Sequence, residues 1–202
     1  MKVGVLFSGG KDSALAAILL SPFVQVELVT MFFQIEPRDL HKVARKLGLP
    51  HITMNLDAEL AATSVDTMMN DGHPTNGINL VHKTALERVA ERYRAVADGT
   101  RRDDRAPLLS TQEARSLEDR LRVDYIRPLL GYGRSAIDAL ITESLEVTYG
   151  ECVSFDYEVE LRQLMKDSYG AEAVKRIFPD RHIQSKVIRR KKYVFTTGIN
   201  DY

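Results

Sequence analysis

Six consecutive residues, Ser8-Gly9-Gly10-Lys11-Asp12-Ser13, bring together two hydroxyls, two glycines, an ammonium and a carboxylate. Apolar residues 3–7 precede them and apolar residues 14–20 follow, an order that reads as strand, glycine turn, helix. Glycines at such a turn let the backbone take positive φ and approach a ligand with no Cβ in the way. The helix that follows aims its unpaired N–H groups and its positive dipole end at the same spot. An anion fits there, and with Lys11, Ser8 and Ser13 as added donors the anion is expected to be a phosphate chain.

A second chemical cluster is Asp98-Gly99-Thr100-Arg101-Arg102-Asp103-Asp104-Arg105, directly after the short apolar run Ala95-Val96-Ala97. Its carboxylates suit magnesium, which takes oxygen ligands; a solvated turn with local Arg–Asp pairs is the plainer reading. Asp12 likewise reads either as a metal ligand or as compensation for the helix dipole. The third cluster is basic: Lys186, Arg189, Arg190, Lys191 and Lys192, read as a phosphate-backbone contact with RNA or as a solvated strand edge. The five histidines, at 41, 51, 73, 82 and 182, show no metal-ligand spacing. His41 is expected at the surface or core edge of a helix, while His73 sits in a Gly/Asn/Pro loop that could close over a site.

The elements that must hold these residues alternate. A strand over residues 24–33 follows the first helix. The next helix places Leu40, Val43, Ala44 and Leu47 on one stripe and closes at Gly48 and Pro50. A third strand over 51–56 leads to Asp57 as a helix cap. A loop over 70–77, a helix over 78–94, a short strand over 95–97, a helix opened by the Ser110/Glu113 capping box and a fifth strand over 123–126 follow. Ser135 caps a further helix. Beyond residue 148 two more helices, over 157–168 and 171–178, precede the basic tail. The fold class is therefore α/β, a doubly wound parallel sheet of about five strands over residues 1–148, with a helical C-terminal extension over 149–202. Ligands are expected at the carboxyl ends of the strands.

At 202 residues the chain is long enough for a substantial core, and its 28 basic and 28 acidic residues balance. A lone cysteine, Cys152, rules out an internal disulfide and fits a reducing compartment. The apolar start is too short for a signal peptide, and no run reaches the 18 or so apolar residues of a membrane span. A soluble, cytoplasmic protein is expected, with oligomerisation open.

The first turn is neither a Walker A loop, since Gly10 stands where that motif needs its lysine, nor a dinucleotide fingerprint. Its S-G-G-K-D-S string resembles the PP-loop ATP pyrophosphatases of the adenine nucleotide alpha hydrolase-like (HUP) superfamily, matching the family loop at all six positions. The resemblance extends over residues 1–145 through Ala44-Arg45-Lys46-Leu47-Gly48-Leu49-Pro50-His51, Asp98-Gly99-Thr100 with Asp103-Asp104, and Ile126-Arg127-Pro128-Leu129-Leu130. It is closest to the branch that thiolates tRNA or forms lysidine. The resemblance implies an adenylating enzyme that cleaves ATP at the α-phosphate, releases pyrophosphate and activates a substrate oxygen, with ATP and Mg2+ required. Carried over residue by residue, Ser8, Gly9, Gly10, Lys11, Asp12, Ser13, Asp98, Gly99 and Thr100 would bind the nucleotide. Lys11, Asp12 and Asp103 would be catalytic, and Asp12, Asp103 and Asp104 would hold the metal. Partners implied are tRNA and a protein donating sulfur or ammonia, because the chain lacks the paired cysteines of thiolating relatives, as it lacks the C-x-x-C zinc site of the deazaguanine-forming ones. An amide ligase and an ATP-binding subunit without turnover are the alternatives.

Overall fold

The computed structural model describes residues 1–151, 157–178 and 183–191. Five parallel strands form its centre: β1 (Lys2–Leu6), β2 (Gln25–Phe32), β3 (His51–Asn55), β4 (Ala95–Ala97) and β5 (Asp124–Ile126), in the order β3-β2-β1-β4-β5. The connections carry α1 (Lys11–Leu20), α2 (Asp39–Leu47), α3 (Ala58–Asp71), α4 (Thr75–Ala90) and α5 (Thr111–Leu121), and α6 (Arg134–Ser144) follows β5.

Successive side chains on a strand point to opposite faces, and here both faces are covered. Val3 and Val5 of β1 and Val26 and Leu28 of β2 pack with α1, α2 and α6; Leu6, Val29 and Met31 pack into a second core with α3, α4 and α5. Helix α1 is buried along most of its length, Ser13 to Ile18, because it lies against the sheet with α6 and the C-terminal strands on its outer side. Truncating a fully buried residue such as Leu15 to alanine is expected to cost about 2–5 kcal/mol.

The C-terminal part carries the helices the sequence suggests and adds a pair of strands to them. Helices α7 (Tyr157–Tyr169) and α8 (Ala171–Ile177) are present, but they are bracketed by β6 (Leu145–Glu151) and β7 (Ile183–Arg190), which pair antiparallel. The expected boundary at 148/149 falls inside β6. Leu145 and Val187 share the core of α1 and α2, and Leu161 and Met165 of α7 share the core of α3 and α4. The segment is thus built into both faces of the domain. The loop expected over 70–77 is also shorter, since α3 continues to Asp71 and α4 begins at Thr75.

Candidate functional site

Strand order reverses between β1 and β4: the chain steps outward through β2 and β3, then returns to β4 and β5 on the other side. The loops leaving two such neighbours diverge and leave a crevice at their carboxyl ends. A cavity of about 410 Å3 opens there, bordered by the turn after β1, the end of β2, the loop after β4 and residues of β6, α7 and β7.

The turn after β1 is tied by its own hydroxyls. Ser8 Oγ lies 3.2 Å from Ser13 Oγ and accepts the Gly10 N–H at 3.3 Å, while Ser13 Oγ donates to the Gly10 carbonyl at 3.2 Å. Gly9 has φ of 80°, and a Cβ there would lie 2.5 Å from Leu40 Cδ2, so both conformation and space require glycine. No side chain within the turn caps α1. The Lys11 N–H instead donates to Ser185 Oγ of β7 at 3.1 Å, and the Val187 N–H donates to the Gly9 carbonyl at 3.0 Å. Lys11 Nζ donates to Asp12 Oδ1 at 2.7 Å. Ser8, Gly10, Lys11, Asp12 and Ser13 border the cavity; Gly9 does not.

The loop after β4 comes close enough to the first that a Cβ on Gly99 would lie 2.5 Å from the Ser13 nitrogen. Only glycine lets these two backbones touch. Asp98 is buried and receives three donors: the Thr100 N–H at 2.9 Å, the Tyr125 hydroxyl at 2.5 Å and His82 Nε2 at 2.7 Å. Burial alone would push its carboxyl up; the hydrogen bond from His82, the charge that ring carries when doubly protonated, and the hydrogen bonds of Thr100 and Tyr125 outweigh it and hold the pKa below the ordinary value. Burial, then the Asp98 charge, pushes the Tyr125 phenol well up. Thr100 Oγ1 is buried at the cavity wall beside Asp98 and Tyr125, close enough to act on both, yet among the described residues it makes no hydrogen bond of ordinary length and angle.

Arg101 sits between the two loops. Its Nη1 lies 3.7 Å from Asp12 Oδ2, its backbone N–H donates to Asp104 Oδ2 at 2.7 Å, and its Nε and Nη2 grip Asp103 at 3.0 and 2.5 Å. Burial pushes the Asp104 carboxyl up against the pull of Arg101, with the neighbouring Asp12 and Asp103 charges adding to the rise. Asp103, expected to be catalytic and metal-binding, does not border the cavity. A two-residue step places it over the outer edge of the Arg101 guanidinium, where it is exposed.

The donor set suits a polyphosphate: a helix N-terminus, an ammonium, a guanidinium, two serine hydroxyls and an orphaned threonine hydroxyl converge on one cavity. Among the described residues no three His, Cys, Asp or Glu side chains gather to hold a metal. Asp12 and Asp104 alone border the cavity as neighbouring carboxylates of the expected set. Two carboxylates completed by phosphate oxygens are a common arrangement for magnesium.

Other expected residues fall elsewhere. His73 is exposed between α3 and α4 and does not border the cavity. His41 does lie at a core edge, its Nδ1 2.9 Å from His51 Nδ1. In the basic cluster, Arg189 pairs with Glu146 at 2.6 Å and Lys191 Nζ donates to the Thr142 carbonyl at 2.5 Å; Cys152, His182 and Lys192 lie outside the described residues. His82, Tyr125, Tyr157 and Ser185 carry no motif and were not expected at the site. For His82 a signal existed: it falls on the α4 stripe of Ile78, Ala85 and Val89, a polar residue in an apolar face.

No helix among the described residues is long and apolar enough to cross a membrane. Residues 1–189 match a family of unknown function, DUF7411. The chain is 38% identical over 200 residues to the uncharacterized protein MJ0690 of Methanocaldococcus jannaschii, covering 96% of this chain and 98% of that protein. A crystal structure from Methanocaldococcus jannaschii, described as a predicted subunit of tRNA methyltransferase, superposes with a TM-score of 0.87 at 38% identity, over 96% of this chain and 100% of its own. On a match that spans nearly its whole length, the chain belongs to the DUF7411 family of unknown function.

Proposed function

We propose that this chain is an ATP-dependent adenylating enzyme acting in tRNA base modification, with the residue 8–13 turn as a PP-loop. The observation that carries the reading is the convergence of the α1 N-terminus, Lys11, Arg101 and the unpartnered Thr100 hydroxyl on one cavity at the strand-order reversal. The similar Methanocaldococcus jannaschii structure, described as a predicted subunit of tRNA methyltransferase, supports the tRNA side. When bound, ATP supplies an electrophilic α-phosphorus and magnesium offsets phosphate charge.

The chain's own groups do the rest. The N–H groups at the start of α1, the Ser8 and Ser13 hydroxyls and the Lys11 ammonium hold the departing pyrophosphate, whose charge needs fixed donors. Asp12 and Asp104 hold the metal; Arg101, kept in place by their carboxylates, faces the same charge. The Gly99 contact locks the two loops into one surface, so the donors need no rearrangement as charge develops.

The test separates the products of ATP turnover, pyrophosphate with AMP or phosphate with ADP, with and without bulk tRNA. Pyrophosphate and AMP that rise with tRNA and vanish in Lys11→Ala are expected. ATP binding with no turnover under any condition would sink the reading and favour a nucleotide-holding subunit of a larger modification complex.

A further inference from the structure

The network around Asp98 leads from the interior to the cavity wall. Asp98 Oδ2 lies 2.7 Å from His82 Nε2, and His82 Nδ1 lies 3.1 Å from the Tyr157 hydroxyl. His82 is only 4% exposed, and both His82 and Tyr157 border the cavity. With Asp98 ionised and acceptor-only, the neutral imidazole must carry its proton on Nε2, which leaves Nδ1 as an acceptor aimed at the Tyr157 O–H. Tyr125 makes the instructive contrast, because it donates to the same Asp98 oxygen but is buried and does not border the cavity. One phenol closes the network inside; the other belongs to a residue of the cavity wall.

We propose that Asp98, His82 and Tyr157 form a proton relay in which Tyr157 is the catalytic acid–base group and His82 and Asp98 position and charge-balance it. The identity of its substrate rests on the adenylation reading: a nucleobase lactam whose carbonyl oxygen is to be activated. The ring N–H bond breaks as Tyr157 Oη takes the proton, and the Tyr157 proton passes to His82 Nδ1. The electron pair left on the lactam raises the negative charge on its carbonyl oxygen, the attacking atom. His82 becomes an imidazolium beside the Asp98 carboxylate, so a buried charge is paired as it forms. Protons balance, and nothing is oxidised or reduced. The same groups in reverse return a proton when the activated oxygen leaves. Lys11, Asp12, Arg101, Asp104 and Glu158 are the other charged groups bordering the cavity, and Glu158 is paired with Arg162 at 2.6 Å.

The relay is tested in two arms on the full chain. In the first, NMR of 15N-histidine-labelled protein without nucleotide is expected to show His82 carrying its proton on Nε2, with the Nδ1 resonance moved by Tyr157→Phe and the Nε2 resonance moved by Asp98→Asn. A proton on Nδ1, or an Nδ1 resonance unmoved in Tyr157→Phe, overturns the relay; the first of these readings needs only wild-type protein. In the second, Tyr157→Phe is expected to slow tRNA-dependent pyrophosphate release by about 10²–10³-fold. ATP affinity is expected to stay within about twofold, since the phenol is assigned to proton transfer and not to phosphate binding. His82→Asn is expected to lower kcat with the KM for ATP unchanged, as Tyr157→Phe does, and the double variant to lose no more than either single one, as groups acting in series do. Additive losses would overturn it. Absence of turnover in wild-type protein would instead remove the adenylation reading, and the NMR arm would then decide the relay alone.

Discussion

After β1 the chain turns with its donors along the cavity; after β4 it turns with its polar groups, the Thr100 hydroxyl excepted, bound to one another or to neighbouring elements. The first loop holds its shape through weak hydroxyl contacts of 3.2–3.3 Å and takes the cap for its helix from Ser185 of β7. The second buries a carboxylate under three donors and holds its guanidinium with two carboxylates of its own, Asp103 and Asp104, while Asp12 of the first loop lies on the guanidinium's other side. The difference separates two tasks. Groups that must receive a ligand's charge are left with capacity to spare, whereas groups that must hold position are saturated at the cost of stability if any one is removed. Gly99, pressed on the backbone of Asp12 and Ser13, joins the two.

The comparison predicts that activity and stability will part company between the loops. Lys11→Ala should lower pyrophosphate release by about 10²–10³-fold, the usual loss on removing one donor to a developing anion. Its effect on urea unfolding should stay near 0.5 kcal/mol, because its partner Asp12 keeps Arg101 close by. Asp98→Asn should do the reverse in kind, costing about 2–4 kcal/mol of unfolding free energy by depriving His82 and Tyr125 of their shared acceptor. Equal destabilisation by both substitutions would break the distinction.

A third prediction compares two histidines. His82 is hydrogen-bonded to a carboxylate; His51 meets Thr30 on one side, at 2.8 Å, and His41 on the other, with the Glu36 carboxylate acting on it only through its charge. Burial, with the His41 charge adding, pushes the His51 pKa down to about 4. In the unfolded chain it titrates near 6.5, so between those values the unfolded state binds more protons and folding stability rises with pH. The contribution is complete above about pH 6.5 and is lost as pH falls toward 4. Discounted for the partial exposure of the ring, it amounts to about 1–2 kcal/mol, read as a flattened stability–pH curve in His51→Gln. The depressed Asp98 carboxyl works in a lower window, its contribution being lost only as pH falls below the ordinary carboxylate range.

The residue 8–13 turn was legible because everything that shapes it lies within about twenty residues of sequence: strand, glycine pair, helix. Asp98, Gly99 and Thr100 were legible as a polar stretch at a strand end, but not as what they are. Asp98 acquires its role from His82 on α4 and Tyr125 on β5, which only the strand order brings together. Asp103 and Asp104 look alike in sequence, and the turn at Arg101 sends one outward and one toward the cavity. The β6–β7 pair was missed for a related reason. Its alternation is broken by a register shift at Glu146/Val147, its basic residues suggest a solvated tail, and its pairing spans some forty residues. Ser185 therefore read as nothing in particular.

Ser185 yields the smallest expected effect and the sharpest test of the open character of the first loop. Its hydroxyl occupies the Lys11 N–H, one of the donors assigned to phosphate, so in the protein without nucleotide it acts as a cap supplied across the fold. Ser185→Ala should cost about 1 kcal/mol of stability, the usual value of a helix N-cap. If phosphate takes over that N–H, the loss falls on the free state alone, and ATP should bind up to about fivefold more tightly to the variant, the same 1 kcal/mol seen from the other side. A weakened affinity in titration calorimetry would mean that the hydroxyl turns to donate to the ligand. The first loop would then be as fully built by its surroundings as the second, and the contrast between them would be one of timing, not of design.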